Sequence, residues 1–183
     1  MITKLISIPD PAVSLTEAKG YFRILHSDED VEITRVIKAA QEKAEQITNR
    51  VLVKSTFEVK VDDFKDVVLE KTPFVQVQKI EYVAVDNSTK LVSGYVGSVV
   101  LTTDRTTIHF ADIPADLKSG KGNVTITYEA GYETVPAQIQ SYILAEALTM
   151  FENRHLTKVE GEIDAGSKHY YERLLDSYRV IPV

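Results

Sequence analysis

The chain contains no cysteine. That absence excludes disulfides, thiolate chemistry and any cysteine-ligated zinc site. Nor is there an apolar run long enough to cross a bilayer as a helix. Positive charge is in short supply, with 21 Lys and Arg against 27 Asp and Glu and a formal net charge of −6. The deficit is spread along the chain: residues 1–13 sum to 0, 14–51 to −1, 52–130 to −2 and 131–183 to −3. A protein that grips nucleic acid concentrates Lys and Arg to neutralise phosphates. No segment does so here, which argues against tight DNA binding but not against loose enclosure of DNA. The first nine residues, with one Lys and a short apolar stretch, are a poor match to a signal peptide. Synthesis in the cytoplasm is therefore expected. Asn87-Ser-Thr and Asn123-Val-Thr match the glycosylation pattern, which has no meaning without secretion.

Catalytic motifs are missing as well. His26, His109, His155 and His169 form neither a His-Glu-x-x-His pattern nor a zinc-finger spacing. There is no Gly-x-Ser-x-Gly elbow and no glycine-rich phosphate loop. Glu160, Glu162 and Asp164 are spaced like metal ligands but lack the length and closing Glu of a calcium loop. A solvated acidic loop is the simpler reading. No metal or cofactor is expected.

What is present is a chain of 183 residues, 44% apolar and 26% charged, enough for one domain or a domain with an insertion. At this length about 70% of the unfolded surface can be buried without covalent staples. Ser14-Leu-Thr-Glu17 has the pattern of a capping box, and Leu15, Ala18, Phe22 and Leu25 follow at helical spacing. Gly20 weakens that helix and keeps it short. Ser27 or Asp28 is then placed to cap a second helix, favoured by Glu29, Asp30 and Glu32 near its positive end. Its apolar stripe reads Val31, Ile33, Val36, Ile37, Ala40, Ala44, Ile47 and Val51. The two helices, residues 14–52, make a helical hairpin or corner.

From Val53 the period changes. Thr56–Asp62 alternates apolar and polar, as a half-buried strand does. Val75, Val77, Ile80, Tyr82 and Val85 continue in strand-like sequence, and Tyr95–Thr103, Thr106–Phe110 and Asn123–Tyr128 are further strands. The connections are too short for crossover helices, so the strands are antiparallel. Gly131 and Pro136 punctuate the exit. The helix that follows, Ile139–Phe151, is apolar on more than one side: Ile139, Ile143, Ala147, Met150 and Phe151, with Leu144 and Leu148 beside them. Such a helix is buried in its own domain or between subunits. Glu146 within it marks a narrow solvent edge or pairs with a charge nearby. Residues 157–166 read as a polar loop, and Ser167–Tyr178 as a last short helix.

The predicted class is α+β: a helical core of two N-terminal and two C-terminal helices with an inserted antiparallel β region. The boundaries are one domain over 1–183, the hairpin over 14–52, the β region over 53–130, the C-terminal helices over 136–178 and a tail over 179–183. Tyr170, Tyr171 and Tyr178 with Arg173 and Arg179 form the best interface candidate, since Tyr and Arg are enriched at binding hot spots. The competing reading, equally weighted, packs these tyrosines onto their own domain.

Several segments together carry a family resemblance. They are Val13-Ser-Leu-Thr-Glu-Ala-Lys19; the Asp28–Arg50 helix with Val51-Leu; Thr125-Ile-Thr-Tyr-Glu-Ala-Gly-Tyr132 with Val135-Pro136; Ile143-Leu-Ala-Glu-Ala-Leu through Phe151-Glu-Asn-Arg154; and Leu174-Leu-Asp-Ser-Tyr-Arg179. In this order, over nearly the whole chain, they resemble the head–tail connector (adaptor or head-completion) proteins of long-tailed bacteriophages. The resemblance implies a helical core with a β insertion and a structural, non-enzymatic role. It also implies assembly as a twelve-subunit ring under the portal that extends the DNA channel and receives the next neck or tail protein. The partners implied are copies of the chain, the portal, that next protein and DNA in transit, with no membrane. The place implied is the neck of the virion, after synthesis in the host cytoplasm. Carried onto this sequence, the portal-docking candidates are Tyr170, Tyr171, Arg173, Leu174, Leu175, Tyr178, Arg179, Val180, Ile181, Pro182 and Val183.

Three alternatives remain. A stopper or tail-terminator protein is mainly β, whereas this chain carries four helix signals. An enzyme would have to use Glu146, Glu152 or His155, with perturbed environments that sequence does not reveal. A small DNA-binding module predicts affinity for duplex DNA that falls steeply with salt.

Overall fold

The structure, a computed structural model, describes residues 2–7, 10–92, 96–101, 105–111, 113–153 and 170–180. Packing divides the chain into two compact units, one of Asp10–Val53 with Glu133–Val183 and the other of Met1–Pro9 with Lys54–Tyr132.

The first unit is helical. Helix α1 (Leu15–Phe22) begins as the sequence predicts. The Ser14 hydroxyl accepts the Glu17 N–H at 3.2 Å, and the Glu17 carboxylate accepts the Ser14 N–H at 2.8 Å. Two orphan amides of the first turn are thereby satisfied reciprocally. The helix stops at Arg23, which turns left-handed at φ 59°. Leu25 therefore falls beyond the helix and is 98% exposed, off the apolar face expected for it.

Helix α2 (Asp30–Thr48) starts later than its expected caps. Neither Ser27 nor Asp28 is the cap; Glu29 holds that position without a side-chain capping bond. Ser27 contributes its backbone carbonyl, which accepts the Asp30 N–H at 3.2 Å. Asp30 instead receives the Lys19 ammonium at 2.6 Å, tying α1 to the start of α2. The buried face comprises Ile33, Val36, Ile37, Ala40, Ala44 and Thr48. Val31 belongs to the expected stripe but sits one residue into the helix on its open side, 86% exposed.

Helix α3 (Ala137–Glu152) follows Pro136 and buries Ile139, Tyr142, Ile143, Ala145, Ala147 and Phe151. It packs on α2, and Phe151 meets Phe22 of α1 with ring centres 5.6 Å apart. Leu144, Leu148 and Met150 are half-buried. The last helix ends earlier than expected. Residues 170–173 are helical, the chain turns at Leu174 and Leu175, and a 3₁₀ turn occupies Asp176–Tyr178.

The second unit is made of antiparallel strands: β1 (Ile2–Leu5), β2 (Ser55–Val61), β3 (Val67–Leu69), β4 (Phe74–Val83), β5 (Thr89–Leu91), β6 (Val96–Leu101), β7 (Thr106–Phe110) and β8 (Val124–Ala130). One sheet has the order β1-β2-β8-β4-β5 and the other β3-β7-β6. Strand β8 is central, paired with β2 on one side and β4 on the other, and buries Val124, Ile126, Tyr128 and Ala130 on one face with Thr127 buried on the other. In β4 the apolar residues switch from odd numbers (Val75, Val77) to even (Ile80, Tyr82). The register shift between Val77 and Lys79 explains this, since one extra residue flips the facing of those after it; Val75, exposed, lies at an earlier shift between Phe74 and Gln76. Phe64 bridges the sheets, edge-on to Tyr82 at 5.9 Å and to Phe110 at 4.9 Å. Strand β1, paired with β2 from Ile2↔Lys60 to Leu5↔Phe57, was not predicted, because four residues are too few to show a period.

The class is α+β, but the chain is rich in sheet, and the picture of one helical core carrying a β insertion needs correction. The strands bury a core of their own, from Phe57, Val59 and Leu69 to Ile108, Ile126 and Tyr128. Alternating strands each carry an apolar face to bury, and the ring contacts Phe57–Tyr128 and Phe64–Phe110 lie within the strand unit.

Candidate functional site

The C-terminal segment lies within the helical unit, held by the end of α2. The last carbonyls of a helix lack partners inside it. Here the Thr48 carbonyl accepts the Val180 N–H at 2.9 Å. Asn49 turns left-handed at φ 53°, a conformation Asn tolerates well at a helix C-terminus. Its side-chain amide donates to the Val180 carbonyl at 2.9 Å. Arg50 Nε donates to the Tyr178 carbonyl at 2.7 Å. Backbone groups of residues 178 and 180 are thus gripped by three consecutive residues, Thr48, Asn49 and Arg50. Upstream, Leu175 is 0% exposed and anchors the segment in the core.

A second set of contacts fixes residues 170–173. The Tyr21 hydroxyl is hydrogen-bonded to Tyr171, and its pKa is raised by burial and then by that bond. Tyr170 and Tyr171 meet edge to face with centres 5.5 Å apart. Tyr142 of α3 is buried, and its phenol is pushed above the usual range by burial and then by the charges of Glu146 and Glu172, against the opposing pull of Arg179. Its hydroxyl makes no hydrogen bond among the described residues.

The predicted interface residues divide by burial. Leu175 is buried; Tyr171, Leu174, Tyr178 and Val180 are half-buried; Tyr170, Arg173 and Arg179 are exposed. Arg179 Nε lies 3.3 Å from Asp176. Some of these side chains therefore pack within their own unit while others reach solvent. Ile181, Pro182 and Val183 lie outside the described residues. The clip formed by Thr48, Asn49 and Arg50 escaped the sequence reading. Its one legible sign was Asn directly after a helical run.

Glu146 is not simply a solvent edge: its carboxylate accepts from the Lys43 ammonium of α2 at 2.6 Å. Glu152 is exposed at the end of α3. His26 lies 3.8 Å from Asp28 and 3.9 Å from Glu29, and His109 lies 2.8 Å from Asp66. His155, His169, Glu160, Glu162 and Asp164 lie outside the described residues. Among the described residues, no group of three or more His, Asp or Glu could hold a metal ion, and no helix is long and apolar enough to cross a membrane.

No protein-family model matches the chain, and no curated protein matches it either. Solved structures do. A chain in the virion of a native gene transfer agent (GTA) particle superimposes with a TM-score of 0.79 at 17% identity, covering 100% of this chain and 97% of that one. A chain in the neck of the empty GTA particle, computed with C6 symmetry, gives 0.76 at 18% identity over the same shares. One in the neck of the native GTA particle, computed with C12 symmetry, gives 0.70 at 18% identity, again over 100% and 97%. The fold, over its whole length, is one found in such particles.

Proposed function

We propose that this chain is a structural component of the neck of a phage-like virion. In this reading copies form a ring beneath the portal, extend the DNA channel and present a platform to the next neck or tail protein. The observation that carries the reading is the end-to-end likeness, 100% of this chain against 97% of the other, to chains in virion and neck particles. The sequence resemblance to head–tail connector proteins points the same way. So does the spread of negative charge, which suits a conduit through which DNA slides without sticking.

The C-terminal segment is the proposed portal-docking element. Leu175 and the Thr48–Asn49–Arg50 clip hold it, while Tyr170, Arg173 and Arg179 face outward. Anchored backbone with exposed Tyr and Arg is the composition of a binding hot spot at low ordering cost. The test is co-sedimentation of the purified protein with portal-containing, DNA-filled, tailless heads, read by electron microscopy. Added ring density at the portal vertex is expected. Folded protein that leaves the vertex bare across concentrations and salts refutes the reading. Removing residues 181–183 and changing Tyr170 and Arg173 to Ala separates docking from folding: loss of vertex density with unchanged helicity is expected, and unchanged density overturns the docking assignment.

A further inference from the structure

Both sheets of the strand unit end in strands with one edge unpaired among the described residues: β1 and β5 in one sheet, β3 and β6 in the other. An unpaired edge exposes a row of N–H and C=O groups and invites another strand, so folded proteins usually blunt it with charge. Strand β1 carries Lys4, and β5 carries Lys90, which is paired with Asp116. Strand β3 is bracketed by Asp66 and Glu70. Strand β6 has no such protection: no charged residue occurs from Val92 to Thr103.

Burial across the small sheet points to the same edge. Residues in register on one face are Val67, Ile108 and Val99, then Leu69, Thr106 and Leu101. On β3 and β7 these side chains are sealed, with Val67 at 5%, Ile108 at 0%, Leu69 at 1% and Thr106 at 2% exposure. On β6 the cover fails: Val99 is half-buried and Leu101 is 61% exposed. Among the described residues this face of the small sheet is sealed over β3 and β7 and uncovered over β6.

We propose that the free edge of β6 pairs with β3 of a second copy, so that the small sheet continues from copy to copy around a ring. This rests on the ring reading above and names a contact that builds it. The chemistry of the edge requires an extended strand, since only a strand offers matching N–H and C=O groups. Among the four open edges, β3 is the other whose strand, Val67-Val68-Leu69, is itself uncharged. A β6–β6 contact would be self-complementary and would stop at a dimer; β6 to β3 is head-to-tail and can close into a ring. Asp66 and Glu70 confine the pairing to a short register.

The absence of cysteine makes a clean test. Val68 and Val100 both lie opposite Thr107, on the same face, and are 42% and 45% exposed. Within one copy they are two strand spacings apart, about 10 Å. A disulfide needs Cα atoms within about 7 Å, so the bond can form only between copies. The Val68→Cys/Val100→Cys protein is assembled on tailless heads, oxidised and run on a non-reducing gel. A ladder of oligomers from the double variant, absent from each single variant, is expected. Val100→Lys, at an exposed position, is expected to keep the fold by circular dichroism and to lower ring occupancy at least ten-fold. Rings without the ladder, or normal rings from Val100→Lys, overturn the contact and leave the ring reading standing. Dimers from Val100→Cys alone overturn it in favour of β6–β6 pairing. If the wild-type chain forms no ring, the ring reading fails and this contact with it.

Discussion

Leu175→Ala tests whether the C-terminal segment is part of the folded helical unit. Leu175 is 0% exposed and sits between residues 170–173 and the 3₁₀ turn at Asp176–Tyr178. Removing a fully buried leucine side chain loses its transfer free energy and leaves a cavity, which together cost about 2–5 kcal/mol. The site is flanked by chain turns that can partly collapse, which favours the lower half of that range, about 2–3 kcal/mol. The matched control is Leu25→Ala. Leu25 is 98% exposed, so the same chemical change there should cost less than about 0.5 kcal/mol. Urea unfolding followed by far-ultraviolet circular dichroism suits the measurement, because all described α-helices belong to the unit that contains Leu175. The midpoint should fall with the slope unchanged. A Leu175→Ala cost no larger than that of Leu25→Ala would refute the docked segment, and with it the argument that the segment is pre-ordered for a partner.

Four further outcomes follow from named contacts. Ser14→Ala should lose about 1 kcal/mol from the cap of α1. Hydrogen bonds from the Ser14 side chain and then its backbone hold the Glu17 carboxyl below its ordinary pKa. A depressed pKa contributes stability that is present above the unfolded value near about 4.3 and is lost as pH falls through the folded one, so the acid limb of stability against pH should be shallower in the variant. Gly20→Ala should stabilise α1 by about 0.5–1 kcal/mol, since a Cβ there meets nothing within 4 Å; a lower urea midpoint would contradict this. Burial raises the Tyr128 phenol to about 12, offset in part by the Lys71 backbone, and pushes Tyr142 higher still. Raised pKa values give stability that is full below the unfolded value near about 10 and is lost as pH rises through the folded ones. Ultraviolet titration of the native protein at pH about 11 should leave these two phenols un-ionised, and unfolding in urea should release them. Finally, a double-mutant cycle with Lys43→Met and Glu146→Gln should show a coupling of about 1 kcal/mol, above an exposed pair because the Glu146 side chain is 13% exposed; zero coupling would contradict the contact.

Local chemistry explains what the sequence determined by itself. Ser14 and Glu17 are three residues apart, so the capping box was readable, and so was the start of α1. Alternation over Thr125-Ile-Thr-Tyr128 identified the strand that proves central. The Tyr and Arg content of residues 170–179 was likewise readable, and these residue types are enriched at binding hot spots. The absence of cysteine and of a basic cluster limited the chemistry before any fold was known.

Only the tertiary structure decided the rest, for one physical reason: burial and pairing depend on residues distant in sequence. Leu25 and Val31 look like core residues until the ends of α1 and α2 leave them outside. Glu146 looks like a solvent edge until α2 brings Lys43 to 2.6 Å. Val77 and Ile80 disagree in period until the register shift between Val77 and Lys79 turns β4 over. The hold of Asn49 on Val180 spans 131 positions and that of Arg50 on Tyr178 spans 128, separations that no local pattern encodes. Likewise the open edge of β6 exists only once the order β3-β7-β6 is known; the uncharged run from Val92 to Thr103 says that a strand is unguarded, and the sheet says where.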